Sequence, residues 1–237
     1  MNQPLKIGVR IIPDNELLGL LQYYDLLPTL KRELLIDQVI ADISYTYDEL
    51  VSACKLFYQE KGITTEDQVQ EWLLYKQLNQ SQLESLATRN LRLEKFKQKK
   101  WKDYIQSYFF QRKTALDEVT FSMIHIPDLR IARELYFRIQ EGEQTFVDLA
   151  REFNLGIDPA TNGLIGPVEL GTIKNPLIYR LLSTSQPGQL SAPIQVDQGW
   201  ILVRLEKLNS AQLSDETRNR LLDELLNHWL DEQLKNQ

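Results

Sequence analysis

The first half of the chain places its apolar side chains three and four residues apart, the spacing of helices with one buried face. Leu30, Leu34, Leu35, Val39, Ile40 and Ile43 fall on such a stripe and predict a helix over 28–43. Before it, Pro13-Asp14-Asn15 offers helix-start chemistry for 16–24. The short alternating stretch 5–12 leaves its own state open. Thr46, with Glu49 after it, reads as a capping box that opens a helix over 47–61, and Gly62 closes it. Thr64 or Thr65 starts the next, which carries Val69, Trp72 and Leu73 to about residue 77. Ser81 with Glu84 predicts one long helix reaching Lys113. Its stripe of Leu83, Leu86, Leu93, Phe96, Trp101, Tyr104, Ile105 and Tyr108 reads as core. This half predicts a helical bundle.

At Val119 the period changes. Val119-Thr-Phe-Ser-Met-Ile-His-Ile126 has the alternation and β-branching of a strand. Pro127-Asp128 ends it and opens a helix through Gly142, and Thr145 caps a short helix ending at Phe153. The glycines and prolines of 154–167 predict a loop. A helix over 175–183 and a Pro187-Gly188 turn follow, then strands over 190–196 and 199–207 that flank Asp197-Gln198 as a hairpin. The expected order is β-α-α-α-β-β, a small α+β unit. Ser214 caps a last helix, 215–235, with Leu221, Leu222, Leu225, Leu226, Trp229 and Leu234 on one side. So much apolar surface needs a partner, and the bundle is the nearest candidate. The expected organisation is a helical domain over 1–115, an inserted α+β domain over 116–209, and a C-terminal helix over 210–237 that packs on the helical domain.

Composition narrows the functional classes. The 237 residues are 43% hydrophobic and 25% charged, which are globular values. No apolar run reaches the ~18 residues that span a bilayer. The N-terminal residues lack a charged n-region followed by an apolar h-region, so a cytoplasmic location is expected. Cys54 is the single cysteine; no internal disulfide can form, and its amphipathic surroundings make it a small core residue. His125 and His228 lie far apart with no cluster at ligand spacing, so neither a metal site nor a cofactor is expected. Residues 89–113 carry +7 while the rest carries −13, for a net charge of −6. Such a basic helix either presents a solvated face or binds nucleic acid, acidic lipid or an acidic partner. The overall acidity argues against general nucleic-acid binding.

Four stretches carry a family likeness: Thr145-Phe-Val-Asp-Leu-Ala-Arg-Glu-Phe153, Asn162-Gly-Leu-Ile-Gly166, Pro187-Gly-Gln-Leu-Ser-Ala-Pro-Ile194 and Gly199-Trp-Ile-Leu-Val-Arg-Leu205. Their order resembles the parvulin-type peptidyl-prolyl cis-trans isomerase (rotamase) module. The whole plan, with Glu33-Leu-Leu-Ile-Asp-Gln38 in the helical half, resembles the SurA-like and PpiC-like folding factors. The resemblance implies a helical chaperone domain completed by the C-terminal helix, with a parvulin domain inserted. It also implies an active centre. The family's first histidine position holds Met123; His125, on the same strand face, is either a partial substitute or an ordinary strand histidine. The second histidine position holds Ile201, the threonine position Val196, and the Asp or Cys position falls near Gly156, with Asp158 the closest polar replacement. The apolar proline pocket would be Ile173, Leu177 and Leu182, with core packing an alternative for Ile173.

On that resemblance the catalytic candidates are His125 and Asp158, and the substrate-binding candidates are Met123, Ile173, Leu177, Leu182, Val196 and Ile201. Two readings are open. One is a folding factor that binds unfolded or proline-containing polypeptide and accelerates prolyl isomerisation weakly. The other is a non-catalytic cytosolic chaperone or adaptor for a peptide destined for export or modification. No specific nucleic-acid partner is expected.

Overall fold

A computed structural model describes residues 5–153, 161–196 and 199–235. The chain divides into two compact units, one of 1–105 with 219–237 and the other of 106–218. The second is thus inserted into the first, and the fold is α+β as expected, with the C-terminal helix completing the helical part.

The helical unit opens with a hairpin of β1 (Leu5–Ile7) and β2 (Arg10–Ile12), which settles the stretch that patterning left open. Six helices follow: α1 (Asp14–Tyr23), α2 (Leu27–Ile40), α3 (Tyr47–Lys61), α4 (Glu66–Lys76), α5 (Gln80–Ala87) and α6 (Arg89–Trp101). Thr46 and Glu49 form the expected capping box, and Gly62 takes the left-handed conformation at φ 68° that ends α3. Thr65 with Gln68 repeats the device for α4.

The single long helix expected from Ser81 to Lys113 is instead three. Its cap is Asn79, whose side chain accepts from the Gln82 N–H at 2.9 Å, two residues ahead of the expected Ser81. The first break falls at buried Thr88, whose hydroxyl bonds back to the Glu84 carbonyl at 2.8 Å and so competes with helix continuation. The second follows Trp101, whose carbonyl takes a tight bond from the Tyr104 N–H at 3.0 Å. Beyond it, α7 (Ile105–Leu116) belongs mostly to the inserted unit. Apolar periodicity survives a change of direction, so the stripe hid both breaks.

Much of the basic charge of α6 is paired inside the helical unit, although Lys99 and Lys100 stay exposed. Arg89 bonds Asp37 and Glu33 on α2 at 2.6 Å each. Lys95 reaches Glu49 on α3 at 2.6 Å, and Lys97, almost fully buried, bonds Glu94 and Asp223. Lys100 lies 4.6 Å from the Trp229 ring centroid, also facing Phe96 and Trp101. Asp223 and Trp229 belong to the last helix, α11 (Asp215–Lys235), which buries Leu221, Leu222, Leu225, Leu226 and Leu230. Burying five leucines removes on the order of 10 kcal/mol worth of apolar surface from water, which is why this helix returns to the unit.

The inserted unit is a four-stranded antiparallel sheet in the order β4-β3-β6-β5, with β3 (Glu118–Ile126) and β6 (Gly199–Asn209) in the middle. β5 is Ile194–Val196, shorter than the expected 190–196. One face carries α8 (Leu129–Gln140) and α9 (Phe146–Phe153), packed on Ile124, Ile126 and Leu202. The other carries α10 (Pro176–Thr184) and a 3-10 turn at Leu170–Thr172. Expected helix starts recur here: Asp128 accepts from the Arg130 and Ile131 N–H groups, Asn175 from Leu177 and Ile178, and Thr145 from Asp148.

One strand was not anticipated. β4 (Leu164–Glu169) lies in the stretch expected to be loop and pairs with the outer edge of β3. Its composition hid it, because Gly166 and Pro167 are strand breakers in general. At Gly166 the backbone passes the β3 bulge so closely that a Cβ would lie 2.5 Å from the Val119 carbonyl oxygen, at φ 111°. Only glycine fits there, so the apparent breaker is what lets the strand approach.

Candidate functional site

The candidate site lies on the sheet face opposite α8 and α9. Strand pairing sets its layout: His125 faces Ile201 across β3 and β6, Met123 faces Val203, and Ile194 on β5 faces Ile201 from the other side. Side chains directly opposite in an antiparallel pair share a face. His125, Ile201 and Ile194 therefore form one row, with Met123 and Val203 in the next. Alternation along β3 adds Phe121 and Val119 to the same face, both buried.

Over this face α10 and the 3-10 turn bring Ile173, Leu182, Ile178 and Leu181 into one apolar cluster with Val119, Phe121, Ile201, Val203 and Leu205. Met123, Ile173, Ile194 and Val196 are among its half-buried members. Five of the six substrate-binding candidates (Met123, Ile173, Leu182, Val196 and Ile201) are thus gathered from five separate elements or turns. They differ in exposure. Leu182 and Ile201 are 1% and 3% exposed, so they form the floor rather than a contact surface. Leu177, on the first turn of α10, is 51% exposed and stands outside the cluster. Asp158 lies outside the described residues.

His125 owes its place to Gly199. A Cβ at Gly199 would stand 3.3 Å from the imidazole Nε2 and 2.6 Å from the Ile126 carbonyl oxygen. Glycine at φ 144° clears room for the ring at the mouth of the closing strand. Sequence reading aligned Gly199 by likeness, and the structure supplies the steric reason.

The Gly-x-Leu-Ser-x-Pro motif straps the lower edge of the site. Gly188 N–H donates to the Leu205 carbonyl at 2.7 Å, and Ser191 N–H to that of Val203 at 2.8 Å. The Ser191 hydroxyl in turn accepts from the Val203 N–H at 3.1 Å. A serine there satisfies a buried strand N–H that would otherwise lose a bond. This strap replaces the first half of the strand expected over 190–196. The cluster members Phe121, Ile178 and Ile194 were missed; Phe121 was accessible by period-two counting from Met123, while Ile194 joins only through its pairing with Ile201.

The opposite face holds a polar group of its own. Ser122 Oγ donates to Glu206 at 2.5 Å, Arg204 Nε bonds the same carboxylate at 2.9 Å, and the Arg204 guanidinium lies 5.0 Å from the Phe146 ring centroid. These contacts tie β3 and β6 to α9 and make no part of the candidate site. Near the site, Asp128 is held below the usual carboxylate range by the Arg130 and Ile131 N–H groups, consistent with its work as the α8 cap.

The arrangement defines an apolar shelf with one imidazole at its edge, on an antiparallel sheet backed by two helices. The family model of the PPIC-type PPIase (rotamase) domain matches residues 129–207. That match lies within the inserted unit and makes this stretch similar to the parvulin-type, PpiC-type domain.

Among curated proteins it is similar to the chaperone SurA of a Shewanella species, 31% identical over 108 residues, covering 40% of this chain and 24% of that protein. It is likewise similar to the chaperone SurA of Pseudomonas fluorescens, 32% identical over 113 residues, covering 42% of this chain and 25% of that protein. The matches thus span about a quarter of these relatives' length. Among solved structures it is similar to the peptidylprolyl isomerase PrsA of Bacillus cereus, at 16% identity and a TM-score of 0.48, covering 96% of this chain and 84% of that one. No described helix is long and apolar enough to cross a membrane.

Proposed function

We propose that this protein is a folding factor that seats a proline-containing stretch of another polypeptide on the apolar shelf and speeds cis/trans rotation of its Xaa-Pro bond. Leu177, Ile173, Met123 and Val196 would take the proline ring and its neighbours, over the floor of Leu182 and Ile201. His125 would stand at the polar edge, and Asp158 would supply a carboxylate. The observation that carries this reading is the coincidence of the PPIC-type match with a half-buried apolar cluster, most of whose residues lie within the matched stretch.

The chemistry needs no cofactor. Amide rotation crosses a barrier of ~18–20 kcal/mol without breaking a covalent bond. A site that binds the twisted amide better than either planar form lowers that barrier. An apolar shelf favours the twisted form because loss of resonance makes the amide less polar. With isoleucine at 201 and one nearby imidazole, hydrogen-bond help to the twisted amide is limited, which fits a modest acceleration.

A second reading gains from the same isoleucine. The inserted unit would bind without catalysis, and the helical unit would hold an unfolded client. Exchange NMR on a panel of Xaa-Pro peptides separates the two. Acceleration with line shifts supports the enzyme; shifts without acceleration support the binding module. Neither shifts nor acceleration at excess protein would overturn both assignments of the shelf.

A further inference from the structure

The helical unit contains a groove of about 430 Å³ between α3 and the α5–α6 corner. Its floor is apolar: Ala53, Leu56, Phe57, Leu86, Ala87 and Leu91. Leu56 and Leu86 stay 60% and 43% exposed, so the floor is not sealed by the unit's own core. The walls carry four carboxylates, Asp48, Glu49, Glu60 and Glu94, and no lysine or arginine.

That charge is a property of how the helices are turned. α6 holds six basic residues and one acidic one, and the acidic one, Glu94, faces the groove. Arg89 and Lys97 turn to α2 and α11, while Lys95 reaches Glu49 on the groove wall. Glu49 and Glu94 are partly answered by Lys95 and Lys97, 2.6 Å away. Among the described residues, Asp48 and Glu60 have no ion-pair partner. They sit twelve positions apart on α3, roughly 18 Å at helical rise.

We propose that this groove docks a cationic amphipathic helix of a partner polypeptide, its apolar face on Leu56, Phe57 and Leu86 and its lysines or arginines near Asp48 and Glu60. The partner is helical because the groove is walled by helices whose own backbone groups are bonded. None of the residues that line the groove lies on a strand, so no edge there can pair with an extended peptide and the partner must bring a satisfied backbone. The proposal rests on the reading of this protein as a polypeptide-binding factor and names the client chemistry that its helical unit would select.

The test uses the full chain and a fluorescent amidated helix of Leu, Ala and Lys, roughly 16 residues long to span the two carboxylates. The same peptide with Glu for Lys is the control. Anisotropy should show binding of the lysine peptide alone. Glu60→Lys and Leu56→Ser, both at exposed positions and checked by circular dichroism, should each weaken it by roughly fivefold or more. Equal binding of both peptides, or wild-type affinity in both variants, would overturn the proposal. Suppression of aggregation of an unfolded client, measured in parallel, separates the two failures. If the wild type suppresses aggregation but the peptide test fails, the groove assignment falls alone. If it suppresses nothing, the polypeptide-binding reading falls with it.

Discussion

Leu177→Ala and Leu182→Ala make a pair that separates a contact surface from its support. The substitution deletes the same atoms at two neighbouring turns of α10, and the structure assigns them opposite surroundings. Leu182 is 1% exposed, so its truncation loses the full transfer energy and leaves a cavity, ~2–5 kcal/mol in stability. Leu177 is 51% exposed. Removing about three methylene equivalents, half of them already in water, costs about 1 kcal/mol of stability. The other half is what a bound proline would cover. Its loss should lower acceleration of Xaa-Pro exchange by roughly five- to tenfold, the equivalent of about 1 kcal/mol. Denaturant midpoints report the first quantity and exchange NMR the second. A folded Leu177→Ala protein that accelerates exchange and shifts peptide signals like the wild type refutes the placement of Leu177 at the site. A Leu182→Ala protein as stable as the wild type refutes the account of the floor.

Three further outcomes test the scaffold. A chain ending at residue 218 loses the five buried leucines of α11; at ~1.5–3 kcal/mol each they approach or exceed the ~5–15 kcal/mol by which domains are stable, so cooperative melting of the helical unit should vanish in circular dichroism. Gly199→Ala should destabilise by about 1–3 kcal/mol in urea titration, because the residue sits at φ 144° with a backbone oxygen 2.6 Å from the new Cβ; an unchanged midpoint would mean the close approach relaxes freely. Glu49 is held below its ordinary carboxylate range by the Lys95 hydrogen bond and then by the Thr46 N–H. Its folded pKa is depressed, so its contribution is present above the ordinary glutamate range and fades as pH falls through the lower folded value; Glu49→Gln should flatten that part of the stability profile, and an identical acid profile would count against the pairing.

Local chemistry determined much of this protein from sequence alone. Thr46 with Glu49, Asp128, Asn175 and Gly62 each act within a few residues, and each does in the structure what its type and spacing predict. The stripe of leucines on α11 could not be satisfied by its own helix, and that sufficed to foretell its return. The likeness from Thr145 to Leu205 named the module, because its turns need particular residues at fixed spacing.

Tertiary structure decided the rest. β4 exists because Gly166 can pass a bulge on a strand more than forty residues earlier, and no local preference reports that approach. The long helix broke where a buried threonine turned its hydroxyl back on the chain. The basic residues of α6 read as a surface feature, yet carboxylates from α2, α3 and α11 converge on them. At the site, residue type could nominate Leu177 and Leu182 equally. Which one meets a partner depends on what lies above each, and only packing between distant elements sets that.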